Sequence, residues 1–204
     1  MLTYNQYSVE IQYYTFKSAA TKQEISNTAV IYHKTMQPCA IWITGLPASG
    51  KTTIATLLKE NLISKNISVI VLDGDEIRKT VSKDLGFSPQ DRKEHNRRVI
   101  EIAKLLVKNN FTTIIPIISP YRETRDLARK EIPNFVEVYV KTSLDTCIRR
   151  DPKGLYQKAK NGEITNLTGL QSPYEEPKNP ELILDTEKSS PQECLDTIMS
   201  YLEK

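Results

Sequence analysis

Cysteine and histidine are scarce in this sequence. Its 204 residues include three cysteines, Cys39, Cys147 and Cys194, which are far apart and form no Cys-x-x-Cys pair. An odd number of widely spaced cysteines argues against a disulfide framework and against a zinc site. The two histidines, His33 and His95, have no second metal ligand at a convincing spacing. We therefore expect reduced, partly buried thiols in a cytoplasmic protein.

Long apolar runs and an excess of one charge are also absent. No apolar run approaches the roughly 18 residues of a membrane span. Residues 1–6 lack the charged-then-apolar layout of a signal peptide. The 28 basic and 25 acidic residues give a formal net charge of +3, which is too balanced to indicate nucleic acid as a partner. The hydrophobic content of 39% allows a sizeable core.

Residues 1–38 differ in composition from the rest of the chain and show no visible chemistry. Four tyrosines stand close together there: Tyr4, Tyr7, Tyr13 and Tyr14. Pro38 marks a boundary. We expect residues 1–38 to form an arm that packs on the domain or on a partner subunit, with a second functional unit as the alternative. Residues 39–204 then form one domain.

From residue 40 onward, short apolar runs alternate with helix-like segments. We predict strands at 40–44, 68–72, 112–118, 135–140 and 182–184. We predict helices at 53–60, 93–109, 121–132 and 143–150, and a last helix that begins at Pro191. This alternation predicts a three-layer α/β fold, a mainly parallel sheet with helices on both faces. Pro116 is unwelcome in a central strand, and residues 151–180 show the weak periodicity of a long loop.

A phosphate-binding loop is the strongest motif in the chain. Gly45, Gly50, Lys51 and Thr52 fit the pattern Gly-x-x-x-x-Gly-Lys-[Ser/Thr], between a predicted strand and a predicted helix. Backbone N–H groups of such a loop converge on phosphate oxygens, the lysine reaches the β/γ-phosphates and the threonine hydroxyl can ligate Mg²⁺. The GTPase pattern Asn-Lys-x-Asp is absent. The predicted ATP contacts are Gly45, Leu46, Pro47, Ala48, Ser49, Gly50, Lys51, Thr52 and Thr53.

Two carboxylates follow the second predicted strand, in the stretch Asp73-Gly74-Asp75. Ligands of parallel α/β sheets bind outside the carboxyl ends of the strands. One carboxylate can hold Mg²⁺ or its waters, and one can accept a proton from an attacking hydroxyl. The alternative is a turn with an aspartate helix cap, and both interpretations can hold together.

A basic group surrounds Phe87 in the sequence: Arg78, Arg92, Lys93, Arg97 and Arg98. It forms either a solvated face or a grip on a second anionic substrate, with Phe87 stacked on a base. The residues alone leave this choice open. Ser119 follows the third predicted strand, and its local pattern favours a helix cap, with Pro120 at the first helical position, over a substrate contact.

From about residue 40 onward, the sequence resembles the adenylylsulfate kinases, a family of phosphate-loop kinases. Besides the loop, the resemblance rests on blocks in the family's order: Leu72-Asp73-Gly74-Asp75-Glu76-Ile77-Arg78, Asp84-Leu85-Gly86-Phe87-Ser88, Asp91-Arg92, Ile118-Ser119-Pro120-Tyr121-Arg122, Arg150-Asp151-Pro152-Lys153-Gly154-Leu155-Tyr156, Gly162-Glu163-Ile164, Thr168-Gly169, Ser172-Pro173-Tyr174-Glu175 and Leu184-Asp185-Thr186. Several blocks in one order are far more specific than any single motif.

The resemblance implies transfer of the ATP γ-phosphoryl group to the 3′-hydroxyl of adenylyl sulfate, with Mg²⁺. Lys51 and the loop amides would then neutralise phosphate charge in the transition state. Thr52 would hold the metal, and Asp73 would act as the base or as a ligand of the metal or its water. Arg150 would lie near the ATP base, and Lys153 would belong to a lid at about 151–180.

The resemblance also implies the acceptor site. Asp75 would orient the ribose, Arg78 and Arg92 would bind the phosphosulfate region, and Phe87 would stack on the adenine. Ile118 and Ser119 would line the site, and direct in-line transfer needs no phosphoserine at position 119. The chain departs from the family pattern at His95, which replaces an asparagine that contacts substrate, beside Asn96. It also has Leu167 where the family often has a second stacking phenylalanine.

The resemblance further implies a homodimer and a functional link to ATP sulfurylase. Two other interpretations remain at this stage. A phosphate-loop kinase for a different acceptor is one, and a catalytically weak nucleotide-binding subunit that acts through its arm on a partner such as ATP sulfurylase is the other. The presence of Lys51, Thr52, Asp73, Arg78 and Arg92 argues against the second of these.

Overall fold

The computed structural model describes residues 36–204, and the unit that carries the fold spans Gln37–Lys204. The predicted tyrosine-rich arm lies almost entirely outside the described residues. Five parallel strands form the sheet, in the order β2-β3-β1-β4-β5. They are β1 (Ala40–Thr44), β2 (Val69–Val71), β3 (Thr112–Pro116), β4 (Phe135–Lys141) and β5 (Leu182–Asp185). The predicted α/β fold is confirmed.

The described part of the chain contains seven helices. They are α1 (Lys51–Ser64), α2 (Gly74–Lys79), α3 (Pro89–Lys108), α4 (Arg122–Glu131), α5 (Leu144–Arg150), α6 (Leu155–Lys160) and α7 (Pro191–Leu202). Helix α6 lies inside the segment that the sequence predicted as a long loop, so that prediction was wrong there. None of these helices is long and apolar enough to cross a membrane.

Helices cover both faces of the sheet because alternate residues of each buried strand face opposite layers. Ala40 and Trp42 of β1 pack with apolar residues of α3 and α4 in one core cluster. Ile41 and Ile43 are also fully buried, and α1 contacts β1, β2, β3 and α7. All five β1 residues are buried, which explains why this strand is apolar without alternation.

Pro116 ends the central strand β3 at a position where its missing N–H does little harm. The N–H of Ile117 donates to Ile43 of β1, at 3.0 Å, so the nitrogen of Pro116 faces the β2 side. Strand β2 has already ended at Val71. Proline therefore fits here because the ladder with β2 stops before it.

Candidate active site

The phosphate loop connects β1 to α1 at the carboxyl edge of the sheet. Gly45 has no room for a side chain, because a Cβ atom there would lie 2.6 Å from the Val140 carbonyl oxygen. Ala48 has a φ of 62° and Gly50 a φ of 104°, both in the left-handed region. Gly50 caps α1, and its carbonyl accepts from the N–H of Ile54 at 3.1 Å. The chain thus turns tightly into a helix N-terminus, which favours anions.

Lys51 folds back onto the loop that precedes it. Its Nζ donates to the carbonyl oxygens of Gly45 at 3.0 Å and Leu46 at 2.6 Å. Burial lowers the pKa of this lysine to about 8. The ammonium group therefore lies beside the loop, partly desolvated, where phosphate oxygens could replace the carbonyl oxygens as its partners.

Two threonine hydroxyls, one just after β4 and one just after β5, support the loop. Thr142 and Thr186 both place Oγ1 within hydrogen-bonding distance of the Ser49 carbonyl oxygen, at 3.3 and 3.1 Å. Arg150 donates to Thr186 Oγ1 at 2.9 Å and to its carbonyl oxygen at 2.7 Å. Arg150 is thereby held beside the loop. Sequence reasoning did not select Thr186, although it closes the Leu184-Asp185-Thr186 block.

Asp73 caps helix α2. Its Oδ1 accepts from the N–H groups of Asp75 at 2.8 Å and Glu76 at 3.3 Å. Both hydrogen bonds use the same oxygen, and Asp73 lines the cavity described below. The aspartate-cap interpretation therefore holds for Asp73, and it leaves Oδ2 for other contacts. Asp75 accepts from Lys153 Nζ through Oδ2 at 2.6 Å, which joins α2 to the predicted lid.

Phe87 is the exposed aromatic residue of the acceptor side, with 57% of its surface accessible. The guanidinium carbon of Arg78 lies 4.6 Å from its ring centre and that of Arg92 lies 5.7 Å from it. Burial, followed by repulsion from Arg92, lowers the pKa of Arg78. Two cations and one open ring make this wall suited to an aromatic group that carries negative charge.

Arg92 also ties α3 to the segment around residue 167. Its Nε donates to the Phe87 carbonyl oxygen at 3.0 Å, and its two terminal nitrogens donate to Thr168 Oγ1 at 3.0 Å and to the Asn166 carbonyl oxygen at 2.6 Å. The side chain is buried. Arg92 therefore has a structural task that the sequence did not reveal, and five N–H donors leave it capacity for an anion.

Three buried polar atoms at the cavity have no hydrogen-bond partner among the described residues. They are His95 Nδ1, Asn96 Oδ1 and Ser119 Oγ. His95 is 2% exposed and Ser119 is 1% exposed. Burial, with the nearby Arg78 and Arg98 cations, lowers the pKa of His95 to about 4, so the ring is neutral near pH 7. Buried polar atoms without partners are costly, and a bound ligand that supplies partners would remove that cost.

Ser119 has a strained backbone, and a hydrogen bond from Arg125 holds its carbonyl group. Its φ is 42°, in the left-handed region. Arg125, 2% exposed, donates to the Ser119 carbonyl oxygen at 2.5 Å and pairs with Glu137 at 2.8 Å. Helix α4 begins at Arg122, with Tyr121 as its N-cap. The predicted helix-cap role of Ser119 was therefore wrong, and its hydroxyl is free for the cavity.

One cavity of 580 Å³ joins these groups. It is lined by most of the predicted site residues: Pro47, Ala48, Gly50, Lys51, Thr52, Thr53, Asp73, Asp75, Arg78, Phe87, Arg92, His95, Asn96, Ile118, Ser119, Arg150 and Lys153. Gly45, Leu46 and Ser49 shape the loop without lining the cavity. Residues that sequence reasoning missed also line it, among them Thr186, Ser189 and Leu155.

Leu167 lies elsewhere. Its side chain is buried with Cys147, Tyr156 and Ala159 in a second apolar cluster, and Leu46 packs against the same cluster. The structure thus places Leu167 in this cluster and not in the lining of the cavity around Phe87. This packing has a physical reason, since burial in an apolar cluster stabilises a leucine more than contact with a partly solvated ring face.

The residues at the loop fit a magnesium ion that enters with ATP. Across residues 36–204 no group of three or more His, Cys, Asp or Glu side chains could hold a metal ion. Mg²⁺ needs no such cage, because it keeps several waters and binds phosphate oxygens with one or two protein ligands. Thr52 is exposed on the cavity, and the Oδ2 atom of Asp73 lies outside the capping hydrogen bonds.

Comparison with known proteins places this site in a family. The family model for adenylylsulphate kinase matches residues 37–185. An adenylyl-sulfate kinase of Bacillus velezensis is 51% identical over 165 residues, which cover 80% of this chain and 84% of the relative. The structure of a Mycobacterium tuberculosis APS kinase in complex with AMPPNP and APS superposes with a TM-score of 0.79 at 44% identity, covering 83% of this chain and all of that one.

A hexameric APS kinase from Thiobacillus denitrificans superposes with a TM-score of 0.62 at 31% identity, covering 82% of this chain and 29% of that one. The segment that the family model matches contains the phosphate loop, the Asp73 turn and the wall around Phe87. The motifs of the sequence, the geometry of the cavity and the similarity over most of the chain agree. The chain belongs to the adenylylsulphate kinase family.

Proposed function

We propose that the cavity is a two-nucleotide site that transfers the γ-phosphoryl group of ATP to the 3′-hydroxyl of adenylyl sulfate. The products are 3′-phosphoadenylyl sulfate and ADP, as needed in sulfate assimilation. The observation that carries the proposal is the continuity of one cavity from the phosphate loop to the cationic, aromatic wall at Phe87. Family membership supports it, as does the relative whose structure contains both AMPPNP and APS.

The loop side of the cavity holds ATP in this proposal. The loop amides and the N-terminus of α1 bind the phosphates, and Lys51 neutralises charge that develops during transfer. Thr52 and Asp73 would hold a Mg²⁺ ion that enters with ATP, and that ion would neutralise phosphate charge. Arg150, fixed by Thr186, contacts the far part of the nucleotide.

The other side of the cavity holds adenylyl sulfate. Phe87 stacks on the adenine, Arg78 and Arg92 bind the phosphosulfate region, and Asp75 orients the ribose. The unpartnered polar atoms of His95, Asn96 and Ser119 gain hydrogen bonds from this ligand. Ile118 lines the same wall of the cavity.

The chemical step is a direct in-line displacement. The 3′-oxygen forms a bond to the γ-phosphorus as the bond to the β–γ bridging oxygen breaks, and ADP leaves with that oxygen. Asp73 accepts the proton of the 3′-hydroxyl through Oδ2. Ser119 takes no covalent part, because its buried Oγ has no base partner among residues 36–204. Lys153 closes the lid over both nucleotides.

The proposal extends to partners and place. We propose a homodimer, and a functional link to ATP sulfurylase through a shared nucleotide. A hexameric relative makes self-association a reasonable expectation. A cytoplasmic location fits the cysteines, because Cys39, Cys147 and Cys194 are all free buried thiols.

A coupled assay of ADP release tests the function. Purified protein with ATP and Mg²⁺ is given adenylyl sulfate, or instead a panel of nucleosides, other nucleotides and small hydroxyl compounds. We expect ADP release with adenylyl sulfate, and 3′-phosphoadenylyl sulfate as the detected product. Turnover with another acceptor alone, or tight nucleotide binding without any turnover, contradicts the proposal.

A further inference from the structure

The hydroxyl of Tyr156 is bonded to the phosphate loop. Tyr156 lies in the short helix α6 and is 3% exposed. Its Oη donates to the carbonyl oxygen of Pro47 at 3.1 Å, in a buried contact between residues 109 positions apart. Burial raises the pKa of this phenol, so it remains a protonated donor. A lid helix and the ATP loop are therefore joined by one specific hydrogen bond.

The direction of this bond fixes one peptide plane of the loop. In a trans peptide the C=O of one residue and the N–H of the next point to opposite sides. No cis peptide bond occurs in residues 36–204. When Tyr156 holds the Pro47 carbonyl on the α6 side, the N–H of Ala48 points away from α6. Pro47 and Ala48 both line the cavity, so the orientation of this peptide decides which of its two polar groups faces a bound phosphate.

The loop needs such support at this point. Ala48 has a φ of 62°, a left-handed conformation that costs an alanine free energy and that a glycine would adopt readily. The side chains of Leu46 and Ala48 pack against the apolar cluster that contains Tyr156. Apolar contact sets the distance between loop and helix, but it does not choose the orientation of the peptide. The hydroxyl supplies that choice.

We infer that Tyr156 is a positioning residue for ATP, whose hydroxyl holds the Pro47–Ala48 peptide with its N–H turned toward the phosphates. The inference rests on the proposed function only in taking ATP as the ligand of the loop. Tyr156 touches no reacting atom, and it acts through the backbone of the loop. It gives the family's Asp151-to-Tyr156 block a task at the ATP end of the cavity, in addition to the lid contact of Lys153.

The test compares Tyr156→Phe with a matched control, Tyr139→Phe, in the full chain. Tyr139 is also a buried tyrosine, and it packs on Tyr174 without lining the cavity. Calorimetry measures the dissociation constant of AMPPNP with Mg²⁺ for both variants and wild type, and thermal unfolding compares their stability. For Tyr156→Phe we expect the dissociation constant to rise about three- to tenfold, the effect of one lost hydrogen bond.

Tyr139→Phe should leave AMPPNP binding close to wild type. In steady-state assays, Tyr156→Phe should raise KM for ATP while KM for adenylyl sulfate stays nearly unchanged. Wild-type AMPPNP affinity in Tyr156→Phe, or equal weakening in both variants, overturns the inference. A different result is that Tyr156→Phe weakens AMPPNP binding while the wild type fails to phosphorylate adenylyl sulfate. That result would overturn the proposed function and leave this inference standing.

Discussion

Asp73 shows how one carboxylate serves the fold and the proposed chemistry at once. Its Oδ1 caps α2 through two N–H groups, and its Oδ2 is assigned to the metal and the 3′-hydroxyl proton. Asparagine is as good a helix cap as aspartate, but it cannot accept a proton at neutral pH. A substitution at this residue can therefore separate the two tasks.

We expect Asp73→Asn to lower kcat by about 10²–10⁴-fold, the usual contribution of a general base. The melting temperature and the AMPPNP dissociation constant should change little, because the cap and the phosphate loop remain. ADP release and calorimetry measure the two quantities. Near wild-type turnover in this variant would remove Asp73 from the mechanism.

The lowered pKa of Lys51 leads us to expect proton uptake when ATP binds. Its pKa is lowered to about 8 from an ordinary 10.5 because the side chain is buried. Phosphate oxygens favour the charged form and raise this pKa again. ATP binding near pH 8 should therefore take up protons, and affinity should fall as the pH rises through that value. Calorimetry of AMPPNP binding in buffers with different ionisation enthalpies measures the uptake.

Lys51→Arg is the control, since a guanidinium stays charged throughout this range and offers no such uptake. An unchanged uptake in that variant would assign the proton to another group. A wild type without any uptake would contradict the lowered pKa of Lys51.

The roles of the phosphate-loop residues could be predicted because the motif fixes both residue type and spacing. The environment of Ser119 could not, because its left-handed backbone depends on a hydrogen bond from Arg125 in a later helix. The contact of Tyr156 could not be predicted for a similar reason: its partner is a backbone carbonyl oxygen, which no residue type in the sequence indicates. Contacts between distant backbone groups are the part of a site that a single sequence hides.

At the scale of elements, strong apolar runs and the short helix at 143–150 were predicted well, whereas helix α6 was missed. The runs at 40–44 and 135–140 became β1 and β4 with nearly the same bounds. Helix α6 has six residues, too few to display a period of 3.6 against a loop background. Helix α3 begins earlier than predicted, since Ser88 caps it and Pro89 occupies its first position.

The apolar cluster beneath α6 predicts the effect of Leu167→Phe. Leucine already fills this buried place, so a larger ring overpacks the cluster. We expect the free energy of unfolding to fall by about 1–3 kcal/mol. Urea denaturation measures the change, with Leu170→Phe as the control, because Leu170 is 45% exposed nearby. Unchanged stability together with tighter adenylyl sulfate binding would instead place residue 167 on the adenine.

At the scale of the whole molecule, the cavity lies at the carboxyl edge of one sheet and is lined by the loops and helices that follow its strands. The lining begins at Pro47 and ends at Pro191, inside the unit Gln37–Lys204. Such placement follows from parallel topology, which is why the sequence could predict that Asp73 and Ser119 would meet the phosphate loop. The role of residues 1–36 is the part that topology does not predict.

Deleting residues 1–36 should therefore preserve the chemistry. We expect kcat and both KM values to stay within about twofold of the full chain, as for a domain that contains its whole site. The coupled assay compares the two proteins at equal concentration, and sedimentation measures their oligomeric states. A large loss of kcat without loss of folded structure would assign the arm to catalysis.

The ion pair between Lys153 and Asp75 competes with the acceptor nucleotide for the Asp75 carboxylate. Asp75 is the carboxylate assigned to the acceptor ribose, and the 2.6 Å contact with Lys153 already occupies it. Both side chains are well exposed, at 60% and 65%, and exposed pairs contribute only about 0–1 kcal/mol. When adenylyl sulfate enters, Asp75 therefore exchanges its weak ion pair with Lys153 for a hydrogen bond to the ribose. Moderate salt, which screens the pair, should make the acceptor site easier to enter until it also screens the arginines that hold the anion.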